Sequence, residues 1–111
     1  MNIKNNGQLD NKNISELESN LNDIFERLWN QFIDLKKEIT DLYIAYEQNP
    51  SDEYARIIRG MILTANGLVG STRRLGKVLY NGPIYDNFSD NCNAKMDELL
   101  EISKKLNGRK Y

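Results

Sequence analysis

The chain contains no histidine and only one cysteine, Cys92. The first absence removes the commonest general base and the commonest transition-metal ligand together. The second excludes an intrachain disulfide, a zinc knuckle and a Cys/His dyad. Two prolines and seven glycines among 111 residues argue against a loop-rich or collagen-like chain. No apolar run is long enough to predict a membrane span. Neither sign of charge is in excess: 15 Lys and Arg face 16 Asp and Glu, so a net charge of -1 gives no whole-chain attraction to nucleic acid or anionic lipid. The expectation is therefore a single domain that is not an enzyme and that needs no metal or cofactor. A lone thiol and the lack of a visible targeting signal suggest an intracellular setting.

What is present is helical periodicity. Residues 1–13 hold five asparagines and little that is apolar, and they read as a disordered lead-in. The expected domain covers 14–108, followed by a tail over 109–111. Ser15-Glu16-Leu17-Glu18 has the form of a capping box and predicts a helix from 15 to 48. Within it Leu21, Leu28, Leu35 and Leu42 repeat every seven residues, and Phe25, Phe32, Ile39 and Tyr46 repeat in step four residues later. Trp29, Ile33, Tyr43 and Ile44 fall off that seam. The apolar stripe is thus wider than a two-stranded coiled coil requires.

Asn49-Pro50 stops the first helix, and Ser51 is placed to cap a second over 51–80. Its apolar row is read as Tyr54, Ile58, Met61, Ala65, Leu68, Thr72, Leu75 and Leu79. Four glycines interrupt it, and Gly60 and Gly67 lie one heptad apart. They imply either a soft helix or close approach of a neighbouring one. Asn81-Gly82-Pro83 ends the second helix, a connector follows over 84–87, and a third helix is expected over 87–107. Its seam is Phe88, Cys92, Leu99, Ile102 and Leu106, with Lys95 at an apolar position and Met96 beside it.

Charge changes along the chain. Residues 1–50 carry five basic and nine acidic side chains, residues 51–83 five and two, and residues 84–111 five of each. An acidic helix followed by a basic one suits an antiparallel hairpin. At 1.5 Å per residue the three helices span about 50, 45 and 30 Å, so the third looks too short to cover the hairpin. The expected fold is all-α: a long antiparallel hairpin plus a shorter helix, completed to a four-helix-type bundle by a partner chain. The residues assigned to that interface on the first helix are Leu21, Phe25, Leu28, Trp29, Phe32, Ile33, Leu35 and Tyr43. On the second they are Ile58, Met61, Leu68, Thr72, Arg73 and Leu75.

Other constellations carry less chemistry. Asp34, Glu38 and Asp41 share a helix face, but a carboxylate metal site needs ligands on a facing helix and none are available. Arg73, Arg74 and Lys77 lack the interleaved aromatics of a nucleic-acid surface, so a salt-bridged face against the acidic first helix, or against a partner, is expected instead. Gly67-Leu68-Val69-Gly70-Ser71-Thr72 lacks the lysine of a phosphate loop. Cys92 reads as a small core residue.

The order of features resembles a known family. Leu21-x-Asp23-Ile24 and Phe32-x-x-Leu35-Lys36 are followed by Asp52-x-Tyr54, Arg59, Leu68-Val69-x-x-Thr72-Arg73-x-Leu75 and Leu79-Tyr80-Asn81. Over residues 16–106 this is similar to subunit 22 of the Mediator complex, the Surf-five family of its head module. The connection from Glu47 to Ser51 is shorter than that family has. The resemblance implies a helical subunit paired with Mediator subunit 11 and other head subunits, acting in RNA polymerase II transcription in the nucleus. It implies no direct contact with nucleic acid or membrane. Mediator subunit 11 itself, a DASH-type kinetochore subunit, and a bacterial or phage immunity or chaperone-like binder share the same general pattern.

Overall fold

A computed structural model describes residues 11–108, and side chains from residue 14 onward. Three helices follow one another: α1, Asn11–Gln48; α2, Asp52–Leu79; α3, Gly82–Asn107. No strand occurs among the described residues. The helices form an elongated bundle of 63 × 27 × 17 Å. Most of the expected lead-in and the whole expected tail lie outside the described residues. Asn11–Asn13, assigned to that lead-in, are helical.

The helix boundaries follow local chemistry, with two corrections. Ser51 caps α2 as expected: its hydroxyl oxygen accepts from the Tyr54 N–H at 3.1 Å, and Asp52 and Glu53 occupy the first turn. Ser15, in contrast, lies inside α1, which begins four residues earlier, so the apparent capping box marks no terminus. At the second junction Tyr80 leaves α2 in an extended conformation with its N–H on the Gly76 carbonyl at 2.8 Å. Gly82 adopts φ +59°, a conformation that glycine takes at no steric cost, and Pro83 sits in the first turn of α3. The expected connector over 84–87 is therefore the start of α3. Pro83 acts as a helix starter, because the first turn has no partner for its missing N–H.

That shift lengthens α3 to 26 residues against 28 in α2. The expectation of a third helix too short for the hairpin is wrong, so the length of α3 no longer argues for a partner chain. Trp29, Ile33 and Tyr43, assigned to a partner, are covered within the chain. Trp29 lies 5.3 Å from Phe88 between ring centroids, and Lys105 Nζ stands 6.0 Å above the Tyr43 ring. Ile33 packs on the core. Ile44 remains half exposed.

The core runs the length of the bundle. Phe32, Ile39, Tyr46, Ile58, Leu99 and Leu106 are its largest fully buried apolar side chains. On α1 the series Phe25, Phe32, Ile39 and Tyr46 is buried throughout, whereas Leu21, Leu28, Leu35 and Leu42 are only half-buried. On α2 the buried row is Ala55, Ile58, Ile62, Ala65, Val69, Thr72 and Gly76. It shares Ile58, Ala65 and Thr72 with the expected row but replaces each intervening residue by the next one along. At about 100° per residue the buried face is thus turned by about 50°, toward α3. On α3, Met96 enters the seam beside Cys92, Leu99 and Leu106, while Lys95 is half-buried at its edge.

Candidate docking face

Polar contacts fix which side of the hairpin α3 occupies. Arg59 of α2 donates from Nε to Asn107 Oδ1 at 3.0 Å and from Nη2 to the Leu106 carbonyl at 3.5 Å. A cation at this C-terminus also complements the helix dipole. One end away, the Arg73 guanidinium donates to Asn93 Oδ1. Lys36 of α1 pairs with Glu98 of α3 at 2.7 Å. The contacts of Trp29, Lys36 and Tyr43 therefore turn one side of α1 toward α3. Leu28, Leu35 and Leu42 each precede one of those residues, so they are rotated from it by about 100° and lie on the other flank of α1, away from α3.

On that flank the hairpin presents an open apolar face. Leu21, Ile24, Leu28, Leu35 and Leu42 contribute it from α1, and Ile57, Met61, Leu68, Leu75 and Val78 from α2; all are half-buried or exposed. Val78 is 71% exposed. Beside this ridge Gly60, Thr64, Gly67 and Ser71 recur at spacings of four, three and four, and all are exposed. A Cβ built at Gly60 or Gly67 meets nothing within 4 Å. Close helix approach at these two glycines, one of the two readings above, does not occur within the chain. On the α1 edge of the face lie Asp34 and Glu38, neither in an ion pair among the described residues, and Asp41, held by Lys37 at 3.2 Å.

The fourteen residues assigned to a partner interface thus divide. Leu21, Leu28, Leu35, Met61, Leu68 and Leu75 lie on the open face, where Leu35, Met61 and Leu68 also pack against the core from outside. Phe25, Trp29, Phe32, Ile33, Tyr43, Ile58, Thr72 and Arg73 are engaged inside the chain, in the core or on α3. Thr72 is fully buried and its hydroxyl donates to the Leu68 carbonyl at 2.7 Å, so it offers nothing outward. Ile24 was read as apolar and off the seam but not assigned to the interface, Ile57 and Val78 were missed because they fall outside the row read on α2, and the row Gly60-Thr64-Gly67-Ser71 because small residues carry no hydropathy signal. Of the basic cluster, Arg73 meets α3 rather than the acidic α1, and Arg74 and Lys77 are exposed and enter no ion pair among the described residues.

The described residues hold no cluster of three or more acidic or cysteine side chains able to bind a metal. Cys92 is fully buried, and desolvation raises its pKa despite the nearby charges of Arg73 and Lys95. A thiol so placed stays protonated and is a poor nucleophile. Among the described residues no helix is long and apolar enough to cross a membrane. The molecule is of the elongated three-helix class, with one long side of its hairpin open. No family model, curated protein or solved structure matches the chain.

Proposed function

We propose that the protein is a non-catalytic helical subunit whose open α1/α2 face receives a helix of a partner protein, completing a four-helix arrangement. The observation that supports this reading is the continuous apolar ridge from Leu21 and Val78 at one end to Leu42 and Ile57 at the other. Contiguous exposed apolar surface of this kind marks interaction sites in soluble proteins. The row Gly60, Thr64, Gly67 and Ser71 leaves room for a backbone to come close, and the carboxylates of Asp34 and Glu38 favour a partner helix with Lys or Arg along that flank. Within this reading, the resemblance to Mediator subunit 22 points to Mediator subunit 11 as the partner, in the nucleus and in RNA polymerase II transcription. A binder of another class, kinetochore or bacterial, would use the same face.

The test is co-purification of the tagged chain with its partner, identified by mass spectrometry, compared with Thr64→Trp and Ser71→Trp. Both positions are exposed, so the variants keep their fold by circular dichroism. Retention of a helical partner by the wild type and its loss in both variants is the expected result. Equal retention by all three chains would remove the open face from the interaction. A partner outside the transcription machinery would discard the Mediator reading alone.

A further inference from the structure

The groove between α2 and α3 lies on a different side of the bundle from the open α1/α2 face. Arg59, Ile62, Leu63, Asn66, Leu100 and Ser103 line a cavity of about 350 Å³ there. Leu63 is 73% exposed and Leu100 46%. From this apolar centre toward the Gly82 junction, the two banks of the groove carry opposite charge. On α2, Leu63, Gly70, Arg74 and Lys77 share one row at spacings of seven, four and three, and residues 63–77 contain no acid. On α3, Asp86, Asp90, Asn93, Asp97 and Leu100 share a row at four, three, four and three. The bond from Arg73 to Asn93 places that row beside α2.

Arg74, Lys77, Asp86, Asp90 and Asp97 are exposed and enter no ion pair among the described residues. At the other end of the groove the charges are already neutralised locally, Arg56 by Asp52 at 3.0 Å and Lys104 by Glu101 at 3.5 Å. The register between the helices follows from Arg59 on Asn107, Arg73 on Asn93, and Gly76 beside Phe88. It sets Leu63 level with Leu100, Arg74 level with Asp90, and Lys77 near Asp86 and Asp90.

We infer that this face binds a second copy of the chain, about a two-fold axis parallel to the helices. That axis brings α2 of one copy over α3 of the other at the same level. Leu63 then meets Leu100 of the second copy, and the Arg74 and Lys77 bank lies over the Asp86 and Asp90 bank, twice over by symmetry. The alternative two-fold, perpendicular to the helices, sets α2 on α2: through the charged banks it places like charges together, and through the Leu63 level it carries the Arg74 and Lys77 bank away from the Asp86 and Asp90 bank of the second copy. Charge thus selects both the occupant and the orientation. The apolar centre supplies the contact, and the charged banks set the register.

The experiment is sedimentation equilibrium of the full chain with three charge variants at exposed positions. Arg74→Glu with Lys77→Glu sets acid against acid, and Asp86→Lys with Asp90→Lys sets base against base. Each is expected to raise the dimer Kd by about tenfold or more. Mixing the two variants restores opposite charge at both contacts, and so does combining all four substitutions in one chain. Recovery of dimer in the mixture and in the quadruple variant is the expected result, and circular dichroism verifies that each chain folds. A wild type that stays monomeric up to about 100 µM overturns the proposal, as does self-association indifferent to the reversals or a quadruple variant that fails to recover.

Discussion

Gly76 and the pair Gly60 and Gly67 sit on the same helix and carry opposite meanings. A Cβ at Gly76 would come within 3.2 Å of Phe25 Cε1 and of Phe88 Cε2. Those rings are themselves fixed by neighbours: Phe25 meets Tyr80 at 5.5 Å and Phe88 at 5.1 Å, and Phe88 meets Trp29. Here glycine lets three helices converge on one aromatic cluster. Gly60 and Gly67 face open space. One end of α2 thus uses the missing side chain within the chain, whereas the middle leaves it unused. A glycine in a helix costs about 1 kcal/mol relative to alanine, and only at Gly76 does internal packing offset that cost.

The comparison can be broken or sharpened by substitution. The largest effect is expected in the closed side of the bundle, where Phe32 and Leu99 are fully buried. Phe32→Ala and Leu99→Ala should each cost about 3–5 kcal/mol in chemical denaturation, whereas Leu28→Ala on the open side should cost far less. Equal losses would mean that the two rows of α1 do not differ in burial. The glycines should then differ in sign. Gly60→Ala and Gly67→Ala should each stabilise the chain by about 0.5–1 kcal/mol, whereas Gly76→Ala should destabilise it by about 1 kcal/mol as the rings are forced apart. A gain at Gly76 in a thermal melt would show that the aromatic cluster yields.

The smallest effect concerns the tie between α1 and α3. The Lys36 hydrogen bond, helped by its charge, lowers the Glu98 pKa below the ordinary carboxylate value, against a smaller opposing effect of desolvation. The folded pKa lies below the unfolded one, so the pair stabilises fully above the ordinary carboxylate range and is lost as pH falls through the folded value. Glu98 is largely exposed, so the contribution is that of a surface pair, about 0.5 kcal/mol. Glu98→Gln should remove this increment at neutral pH and flatten the stability curve below about pH 4.5. An unchanged acid limb would show that the pair contributes nothing.

Much of the fold was legible because it depends on local punctuation. Asn49-Pro50-Ser51 and Asn81-Gly82-Pro83 each separate two helices where expected, since a proline and a positive φ act within a few residues. What the Asn81-Gly82-Pro83 stretch begins was harder to read, because Pro83 both forbids continuation of α2 and suits the first turn of α3. The phase of the α2 seam was missed because Ala55 and Gly76 signal burial weakly, while Met61, Leu68 and Leu75 signal it strongly from the flank. The length of α3 then decided where Trp29 and Tyr43 went. The Arg59–Asn107 and Arg73–Asn93 contacts depend on interhelical register and leave no periodic trace in the sequence.

The two junctions also bear on how the chain reaches this state. Only Asn49–Ser51 separate α1 from α2, and only Tyr80 and Asn81 separate α2 from α3. Each helix packs chiefly on its neighbour in sequence, so no long loop has to close before favourable contacts form. Such low contact order places folding in the microsecond-to-millisecond range. During synthesis the α1/α2 hairpin can pair before α3 has emerged, leaving Phe25 and Trp29 to be covered last, by Phe88. The open α1/α2 face is thus presented by the segment of the chain that is made first, and a partner can reach it while α3 is still being made.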